Sequence, residues 1–595
     1  MPTLLGLLAL FGFYAVGAEY TDGWALQLGS TRFPTTYHLV YMAFWGAFGT
    51  FTAGAFAMAA GRWATEPRAA ALRRLLEAAP DRTWLLGTGA LALVIPALIR
   101  VLILQDVAVS DDENAYHFAA ELLARGRLTI ESPEQKIFFD QDFMINNGRY
   151  FSQYFLGWPA LLAPGVYIGS TGFMNAVYSA LTLPALFLTA RRLAGAPWGR
   201  VATLLYLTAP MIQFVAATEL SHTSCSMMLA WLLWCVLRAR DEDAPVWVDA
   251  AIGFTFSAAF FIRPTSAIGV GGPLLVWWAW TTWRRRAWAR AAACAAPSLV
   301  LAAAFLAINK VQTGSALTPS YQLELPYHAS NGYRFCRHHP GKSVTLHNMS
   351  FTDPQLIAAR NAIAGLRFNF ALFGWPCSVL FAIIGATSRA PAVRALAAGV
   401  ASFSLVHLFL ADAGIDAAGP NHYFEPAVPV LLLTIVGAAG ATRWLRELGD
   451  TQAAARAARW PAALLVGAVL AAALGYTPVR ARSLYLRGLD QSAPARMAEA
   501  LDLHQVVVFT PERYNRVCRS AAQNLWFLRR PVNHPALAPD ILWVNHLSIE
   551  EDRAYMALHP DRAGYVMVYV DDCDLRFVPV GSIAADSIPP TPPVQ

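Results

Sequence analysis

Long apolar runs, separated by shorter polar segments, set the pattern of this chain. A helix that crosses a bilayer needs about 20 mostly apolar residues, and about 13 runs approach that length. They are residues 2–18, 37–61, 84–105, 171–190, 199–217, 220–238, 248–262, 265–283, 289–308, 370–386, 393–411, 425–442 and 460–477. The pattern therefore predicts an all-α polytopic membrane protein.

The polar segment after the third run contains two short elements. Residues 112–125 place apolar side chains at helical spacing and predict a helix. Its apolar stripe consists of Ala115, Phe118, Ala119, Leu122 and Leu123. The segment GRYFSQYFLGWPALLAPG, residues 148–165, is aromatic and interrupted by Gly and Pro, so we expect it to lie in the membrane interface.

The C-terminal part of the chain has a different pattern. Residues 505–510, 540–547 and 564–570 are typical of strands, and residues 549–557 are typical of a helix. We therefore predict a small soluble α/β domain over residues 478–595.

Composition agrees with a membrane protein. Of the 595 residues, 56% are hydrophobic and 14% are charged, whereas a soluble domain has about 25% charged residues. The net charge of +6 comes from Arg residues that fall in short clusters between apolar runs. It therefore does not indicate a nucleic-acid partner.

The Arg clusters predict an orientation. They occupy every second loop, at residues 62–82, 191–200, 238–240, 284–290, 389–394 and 443–459. Loops rich in Lys and Arg face the cytoplasm. We expect a multi-pass protein of a bacterial inner membrane, with a cytoplasmic N-terminus and a periplasmic or extracytoplasmic C-terminus.

Three carboxylates stand in a row directly after the third apolar run. This acidic triplet, Asp111, Asp112 and Glu113, lies on the predicted outer face. Ser110 before it is a good helix cap, and acids favour the positive end of a helix dipole. A cap needs only one or two acids, so the triplet is also a candidate for general base chemistry at the membrane surface.

The triplet and its surroundings resemble GT-C glycosyltransferases. An acidic pair after a membrane helix, followed by Tyr, Ala and Gly, is the hallmark of that superfamily. Here these residues are Asp112, Glu113, Tyr116, Ala119 and Gly126. Further matching segments are YFSQYFLGWPALLAPG (150–165), FFIRPTSA (260–267), TGSALTPSY (313–321) and GPNHYFEPAVP (419–429).

The chain looks like the branch that contains protein O-mannosyltransferases and the lipid A aminoarabinose transferase (family 39-like). The resemblance covers residues 84–442 and implies a GT-C fold. It implies an inverting transfer of a sugar from a polyprenyl-phosphate donor to a glycan, lipid or protein acceptor. The predicted division is an N-terminal helix pair (1–83), a transmembrane catalytic module (84–477) with outward loops 106–170 and 309–369, and the tail domain (478–595).

By motif match the general base is Asp112, with Glu113 and Asp111 as further catalytic candidates. The phosphate of the donor needs positive charge on the same face. Arg263 ends an apolar run, where a charge without a partner is costly, although it could also extend to the interface. Lys136 and Arg149 are the other candidates and could be solvated loop residues.

Four residues could contact the substrate. His222 follows Glu219 in TELSHTSC, His422 lies before a late span, and Tyr321 ends TGSALTPSY. Each could also be a hydrogen-bonded structural residue or an interface anchor. Relatives often carry Arg before the Tyr of the late motif, where this chain has His422. No spacing of ligands predicts a metal site, so we expect no cofactor, although a divalent cation is possible.

Other classes of membrane protein share some of these features. A transporter places ionisable groups near the midplane, whereas here they cluster at one surface. A flippase or polymerase of lipid-linked glycans would share the donor but not the acidic pair.

Seven cysteines are scattered without a CxxC pair, which argues against structural zinc. Cys518 and Cys573 are the two in the tail, and we predict that they form a disulfide in an oxidising compartment. The alternatives are two free thiols or a bond from one of them to Cys336.

Overall fold

The computed structural model describes most of the chain. The described residues are 4–12, 14, 35–63, 66–141, 143–323, 354–375, 378–407, 418–448, 452–510, 531–570 and 574–583. Asp111 lies in a described helix, but its side chain is outside the described part. Cys336, Cys377, Cys518 and Cys573 fall outside the described residues, and the predicted disulfide with them.

Helices form most of the structure. Up to residue 238 they are residues 4–12, Thr35–Trp63, Glu66–Ala78, Asp81–Leu102, Asp111–Ala124, Gly157–Tyr167, Met174–Ala194, Ala196–Thr208, Pro210–Ala216 and His222–Arg238. Beyond it they are Trp247–Ile262, Pro264–Ser266, Gly272–Arg284, Trp288–Thr313, Pro354–Ala371, Leu380–Ala386, Pro391–His407, Ala427–Glu447, Gln452–Ala457, Trp460–Ala471, Thr477–Ala500 and Ile549–Ala557. Two π-helical turns, Ala267–Gly271 and Ala472–Tyr476, join neighbouring helices.

The helices are long and apolar enough for a multi-pass membrane protein. Six described helices meet a length and composition test for a span, and a seventh does if a pair bent by 61° counts as one span. This pair breaks before Pro210, which has no N–H to donate to the helix ladder. Two further apolar helices, Trp247–Ile262 and Pro391–His407, are shorter. The predicted number of 13 is therefore not reproduced within the described part of the chain.

Two deeply buried helices begin beside the candidate site. Helix His222–Arg238 and helix Ala427–Glu447 are buried along nearly all of their apolar length. A helix that is apolar on all sides lies in a protein core or spans a membrane. Both begin at the same end of the bundle, where His222 contacts Phe424 and Glu425, which lie just before helix Ala427–Glu447.

The loop of residues 106–170 is a folded unit. The predicted helix is present as Asp111–Ala124, and the hydroxyl of Ser110 accepts a hydrogen bond from the N–H of Glu113 at 3.4 Å. A three-stranded antiparallel sheet in the order β1-β3-β2 was not predicted. Its strands are Ile130–Glu131 (β1), Met144–Asn146 (β2) and Arg149–Ser152 (β3).

A glycine brings this loop against the membrane bundle. A Cβ atom at Gly157 would lie 2.5 Å from the backbone of Phe261, so only glycine permits this approach. Helix Gly157–Tyr167 thereby packs onto the end of helix Trp247–Ile262, just before Arg263. The predicted interfacial segment therefore consists of strand β3 and this short helix.

The tail contains a four-stranded sheet in the order β5-β4-β6-β7. Its strands are Val506–Thr510 (β4), Ile541–Asn545 (β5), Ala563–Val570 (β6) and Asp574–Pro579 (β7). Strand β4 is parallel to β5 and β6, and β7 is antiparallel to β6. Strands β4, β5 and β6 and helix Ile549–Ala557 lie where the sequence predicts them, and β7 was not predicted.

The helix before the tail sheet is continuous with an apolar helix of the predicted membrane part. Residues Trp460–Ala471, the π turn and Thr477–Ala500 form one uninterrupted helical segment. The predicted domain boundary between residues 477 and 478 therefore lies inside a helix.

Candidate functional site

Asp112 lies in the first turn of helix Asp111–Ala124 and is partly buried. The hydroxyl of Tyr154 donates a hydrogen bond to its Oδ1 atom. The ring of Tyr154 packs at 4.5 Å from that of Tyr116 and at 5.6 Å from that of Tyr321, between ring centroids. The carboxylate therefore stands at the edge of an aromatic cluster that orients it.

Ser221 connects this cluster to a buried cation. The hydroxyl oxygens of Tyr116 and Ser221 are 3.2 Å apart, and Arg263 donates from Nη1 to the Ser221 oxygen at 3.0 Å. Ser221 occupies the turn before helix His222–Arg238, and Arg263 ends helix Trp247–Ile262. Three elements that are distant in sequence thus meet at one hydroxyl.

Glu425 is the buried counter-ion of Arg263. Its Oε1 atom lies 2.9 Å from Nε of Arg263 and 2.9 Å from Nδ1 of His222. The Arg263 contact is an ion pair, since its N–H does not align with the oxygen as a hydrogen bond. Burial alone would raise the pKa of Glu425, but the charge of Arg263 and the contact with His222 lower it to about 2. Glu425 is therefore a carboxylate.

The second oxygen of Glu425 is available. Among the described residues, Oε2 of this fully buried side chain has no hydrogen-bonding partner. A buried polar atom without a partner is costly, and native structures contain few of them. A bound ligand with a hydroxyl group would satisfy it.

Glu113 belongs to a neighbouring buried network. Its Oε1 atom accepts from the N–H of Val109 at 3.0 Å and the hydroxyl of Ser110 at 3.3 Å. Its Oε2 atom accepts from the N–H of Glu219 at 2.7 Å. Burial raises the pKa of Glu113 to about 7, although the charge of Arg100 opposes this. The residue is fully enclosed, and its two oxygens join the backbone at Val109 to the backbone at Glu219.

Glu219 is surrounded by donors. Arg100 Nη2 lies 3.2 Å from its Oε1 atom, and His117 Nδ1 lies 3.4 Å from its Oε2 atom. Thr171 also donates to Oε1 at 3.2 Å. Burial raises the pKa of Glu219, but the contacts with His117 and Arg100 outweigh it and the net shift is downward. Glu219 thus anchors the turn that carries Ser221 and His222.

The predicted site residues divide into three groups. Asp112, Tyr321, Arg263 and His222 lie in one connected cluster, and the ring of His422 is 6.3 Å from that of His222. Glu113 and Glu219 form the neighbouring network. Lys136 and Arg149 are placed elsewhere in the loop.

Lys136 and Arg149 lie at contacts between this loop and other parts of the chain. Lys136 begins a short 3₁₀ helix against strand β5 of the tail, and its carbonyl accepts from Asn146 at 3.0 Å. Arg149 is exposed and donates to the carbonyl of Val311. Their roles toward a donor phosphate stay predictions.

Four residues of the site were missed by sequence reasoning. They are Arg100, Tyr154, Ser221 and Glu425. Glu425 stands in the motif NHYFEP directly before an apolar run, so the argument that selected Arg263, the cost of a charge at that depth, applies to it equally. Tyr154 and Ser221 carry no such signal, because neither side chain is charged.

Among the described residues, no three His, Cys, Asp or Glu side chains are grouped to hold a metal ion.

Solved structures of two membrane proteins are similar to this chain. ArnT from Cupriavidus metallidurans, bound to undecaprenyl phosphate, is 14% identical with a TM-score of 0.47, covering 84% of this chain and 98% of its own. The oligosaccharyltransferase of Archaeoglobus fulgidus in the apo form is 12% identical with a TM-score of 0.41, covering 82% and 70%. No protein-family model matches the chain, and no curated protein matches it in sequence.

Proposed function

We propose that this chain is an inverting glycosyltransferase that moves a sugar from a polyprenyl-phosphate-linked donor to an acceptor at the outer face of the membrane. One observation carries the proposal. A partly buried carboxylate, Asp112, and a buried cation, Arg263, lie at one end of a bundle of apolar helices and are joined through Tyr154, Tyr116 and Ser221. The reaction needs a base and an anion site close together at the membrane surface.

Asp112 acts as the general base on the acceptor. Its carboxylate is exposed enough to meet a nucleophile and is oriented by the hydroxyl of Tyr154. General base catalysis contributes typically about 10²–10⁴-fold. Asp111 and Glu113 flank this base. Because the side chain of Glu113 is enclosed, a structural role is favoured for that residue.

Arg263 binds the phosphate that leaves with the lipid. Glu425 and Ser221 hold the guanidinium from one side, while the side chain keeps 18% of its surface exposed. Guanidinium groups bind phosphate through several parallel N–H groups. The free oxygen of Glu425 accepts a sugar hydroxyl, and His222, His422 and Tyr321 line the same region.

The partners of the protein are the bilayer, the lipid-linked sugar, and a glycan, lipid or protein acceptor. Arg263 supplies positive charge without a metal, so transfer is expected to continue after treatment with a chelator. Loss of transfer that added Mg²⁺ or Mn²⁺ restores would show a metal requirement instead.

The test compares Asp112→Asn with the wild type in detergent, using undecaprenyl-phosphate-linked sugars carrying a radiolabel. The amide keeps the shape of the side chain but cannot take a proton, so binding should persist and transfer should fall by about 10²-fold or more. Glu134→Gln, which alters an exposed carboxylate of the same loop, is the matched control. Transfer retained in Asp112→Asn would contradict the base role.

The same labelled donors separate the other membrane functions. A transporter or flippase would accumulate label inside sealed vesicles without covalent transfer, and a glycan polymerase would extend a lipid-linked chain. Either result would replace the proposed function.

The proposed orientation places the N-terminus in the cytoplasm and the C-terminus outside a bacterial inner membrane. It rests on the Arg clusters, which favour the cytoplasmic side. A C-terminal alkaline phosphatase fusion should be active, because this reporter folds only outside the cytoplasm. Activity of a C-terminal fluorescent reporter restricted to the cytoplasm would reverse the orientation.

A further inference from the structure

Buried charged side chains bind both backbone groups of Val109, its N–H and its carbonyl. Its N–H donates to Oε1 of Glu113 at 3.0 Å. Its carbonyl accepts from Nε and Nη2 of Arg487, at 3.0 and 2.6 Å. Val109 immediately precedes the helix cap Ser110, so these bonds fix the backbone three residues before Asp112.

Arg487 comes from the other end of the chain. It lies 378 residues after Val109, in helix Thr477–Ala500, and its side chain is buried. The guanidinium is a planar fork, so two bonds that converge on one carbonyl oxygen set both the distance and the direction of that carbonyl. Arg487 also lies near Glu113.

The next residue lets the helix reach this position. A Cβ atom on Gly488 would lie 2.9 Å from the carbonyl oxygens of Ile103 and Leu104. A larger residue would therefore push helix Thr477–Ala500 away from the turn that leads into the acidic triplet. Glycine here allows the backbones to touch.

The tail also holds the loop beyond Asp112. Phe138 and Phe139 pack into one face of the tail sheet, beside Phe509 and Tyr555. The amide of Asn545, at the end of strand β5, donates to the carbonyl of Ile137 at 3.0 Å and of Asp140 at 2.7 Å. The first outward loop is thus attached to the C-terminal segment on both sides of its helix.

We propose that the C-terminal segment is a positioning element of the active site, and that Arg487 is its positioning residue for Asp112. This inference rests on the proposed function for its effect on turnover. The bonds to Val109 fix the start of helix Asp111–Ala124 and hence the place of the base. A displacement of about 1 Å in a reacting group can cost about 10²-fold in rate.

The variant Arg487→Met removes the two bonds and keeps much of the side-chain volume. In the full-length protein in nanodiscs, kcat should fall by about 10²-fold, while KM for the undecaprenyl-phosphate-linked sugar changes by less than about threefold, since Arg263 is untouched. Amide hydrogen exchange of residues 107–113 should become faster. Arg496→Met is the matched control, because Arg496 is an exposed arginine of the same helix that also donates to a carbonyl.

Two further variants keep the inference testable if Arg487→Met fails to fold. Gly488→Ala leaves Arg487 in place but forces the helix away, so it should lower kcat and speed exchange in the same segment. Arg487→Lys keeps the charge and at most one of the two hydrogen bonds. Its kcat and its rate of amide exchange should therefore lie between those of wild type and Gly488→Ala.

The two measurements separate the possible failures. Unchanged exchange over residues 107–113 in Arg487→Met overturns the positioning role. Faster exchange there with unchanged kcat also overturns it, because the backbone would then be loose without consequence. If wild type transfers no sugar, the proposed function fails, and the exchange comparison alone decides whether Arg487 holds the loop.

Discussion

The Oε1 atom of Glu425 lies 2.9 Å from the Nε atom of Arg263, at the point where two buried helices meet the end of the bundle. Glu425 is fully buried, and Arg263 is partly buried, with 18% of its side chain exposed. A charge in such a place is stable only with a partner. Among the described residues, the pair leaves one carboxylate oxygen without a hydrogen-bonding partner and part of the guanidinium exposed.

The Arg263–Glu425 pair predicts non-additive effects on stability. Glu425→Gln alone leaves a cation without its counter-ion. Removing one partner of a fully buried pair costs about 3–5 kcal/mol, and the 18% exposure of Arg263 makes the expected cost smaller. The double variant Arg263→Gln/Glu425→Gln should be more stable than the sum of the single changes. Thermal unfolding of the four proteins in detergent measures this, and additivity would show that the two charges do not depend on each other.

Removing the hydroxyl of Tyr154 should lower turnover without disturbing the packing of its ring. Tyr154→Phe keeps the ring against Tyr116 and removes the bond to Asp112. A hydrogen bond to a charged group contributes about 1.5–3 kcal/mol, so kcat should fall by about 10-fold or more, with KM for the donor little changed. Tyr167→Phe, an exposed tyrosine bonded to a carbonyl in the same loop, is the control. Equal turnover in both variants would remove Tyr154 from the site.

Glu113 predicts a pH-dependent contribution to stability. Burial raises its pKa from the ordinary 4.5 to about 7, so the folded state binds an additional proton between these values. The stabilisation of the folded state that protonated Glu113 contributes is therefore fully present below about pH 4.5 and is lost as the pH rises through about 7.

The variant Glu113→Gln removes this titration. The unfolding temperature of wild type minus that of the variant should decrease from pH 4.5 to pH 7. A pH-independent difference would contradict the raised pKa. Glu121→Gln, which changes a carboxylate on the same helix, controls for the general effect of charge.

The predicted bond between Cys518 and Cys573 remains to be tested by peptide mapping without reductant. A disulfide in a small domain stabilises it by typically about 2–4 kcal/mol, so reduction should lower the unfolding temperature of the tail. A peptide linking either cysteine to Cys336 would instead attach the tail to the loop of residues 309–369. A Cα separation above roughly 7 Å in an experimental structure would exclude the bond.

Local signals were sufficient for the secondary structure near the site. Helix Asp111–Ala124 and its cap Ser110 follow from apolar spacing and side-chain chemistry within a few residues. The alternation of side chains and the β-branched residues also predicted three of the tail strands, but they did not predict β7. The unpredicted sheet β1-β3-β2 has strands of two to four residues, which are too short for a period to emerge.

Neighbours in sequence have opposite environments in the acidic triplet. Asp112 is partly exposed and bonded to Tyr154, while Glu113 is enclosed and bonded to backbone. Successive residues of a helix point about 100° apart, as 3.6 residues make a turn. The sequence alone could identify the triplet, but the direction of each side chain depends on what packs around the helix.

The sequence by itself determined the class of the molecule, its apolar helices and the segments that carry charge, because these depend on composition and short-range periodicity. Only the tertiary structure decided that Glu425 neutralises Arg263 and that Arg487 holds the carbonyl of Val109. Each of these contacts joins residues more than a hundred positions apart. They form because a buried charge must find an opposite charge or a free backbone group, and which one it finds depends on how the helices pack.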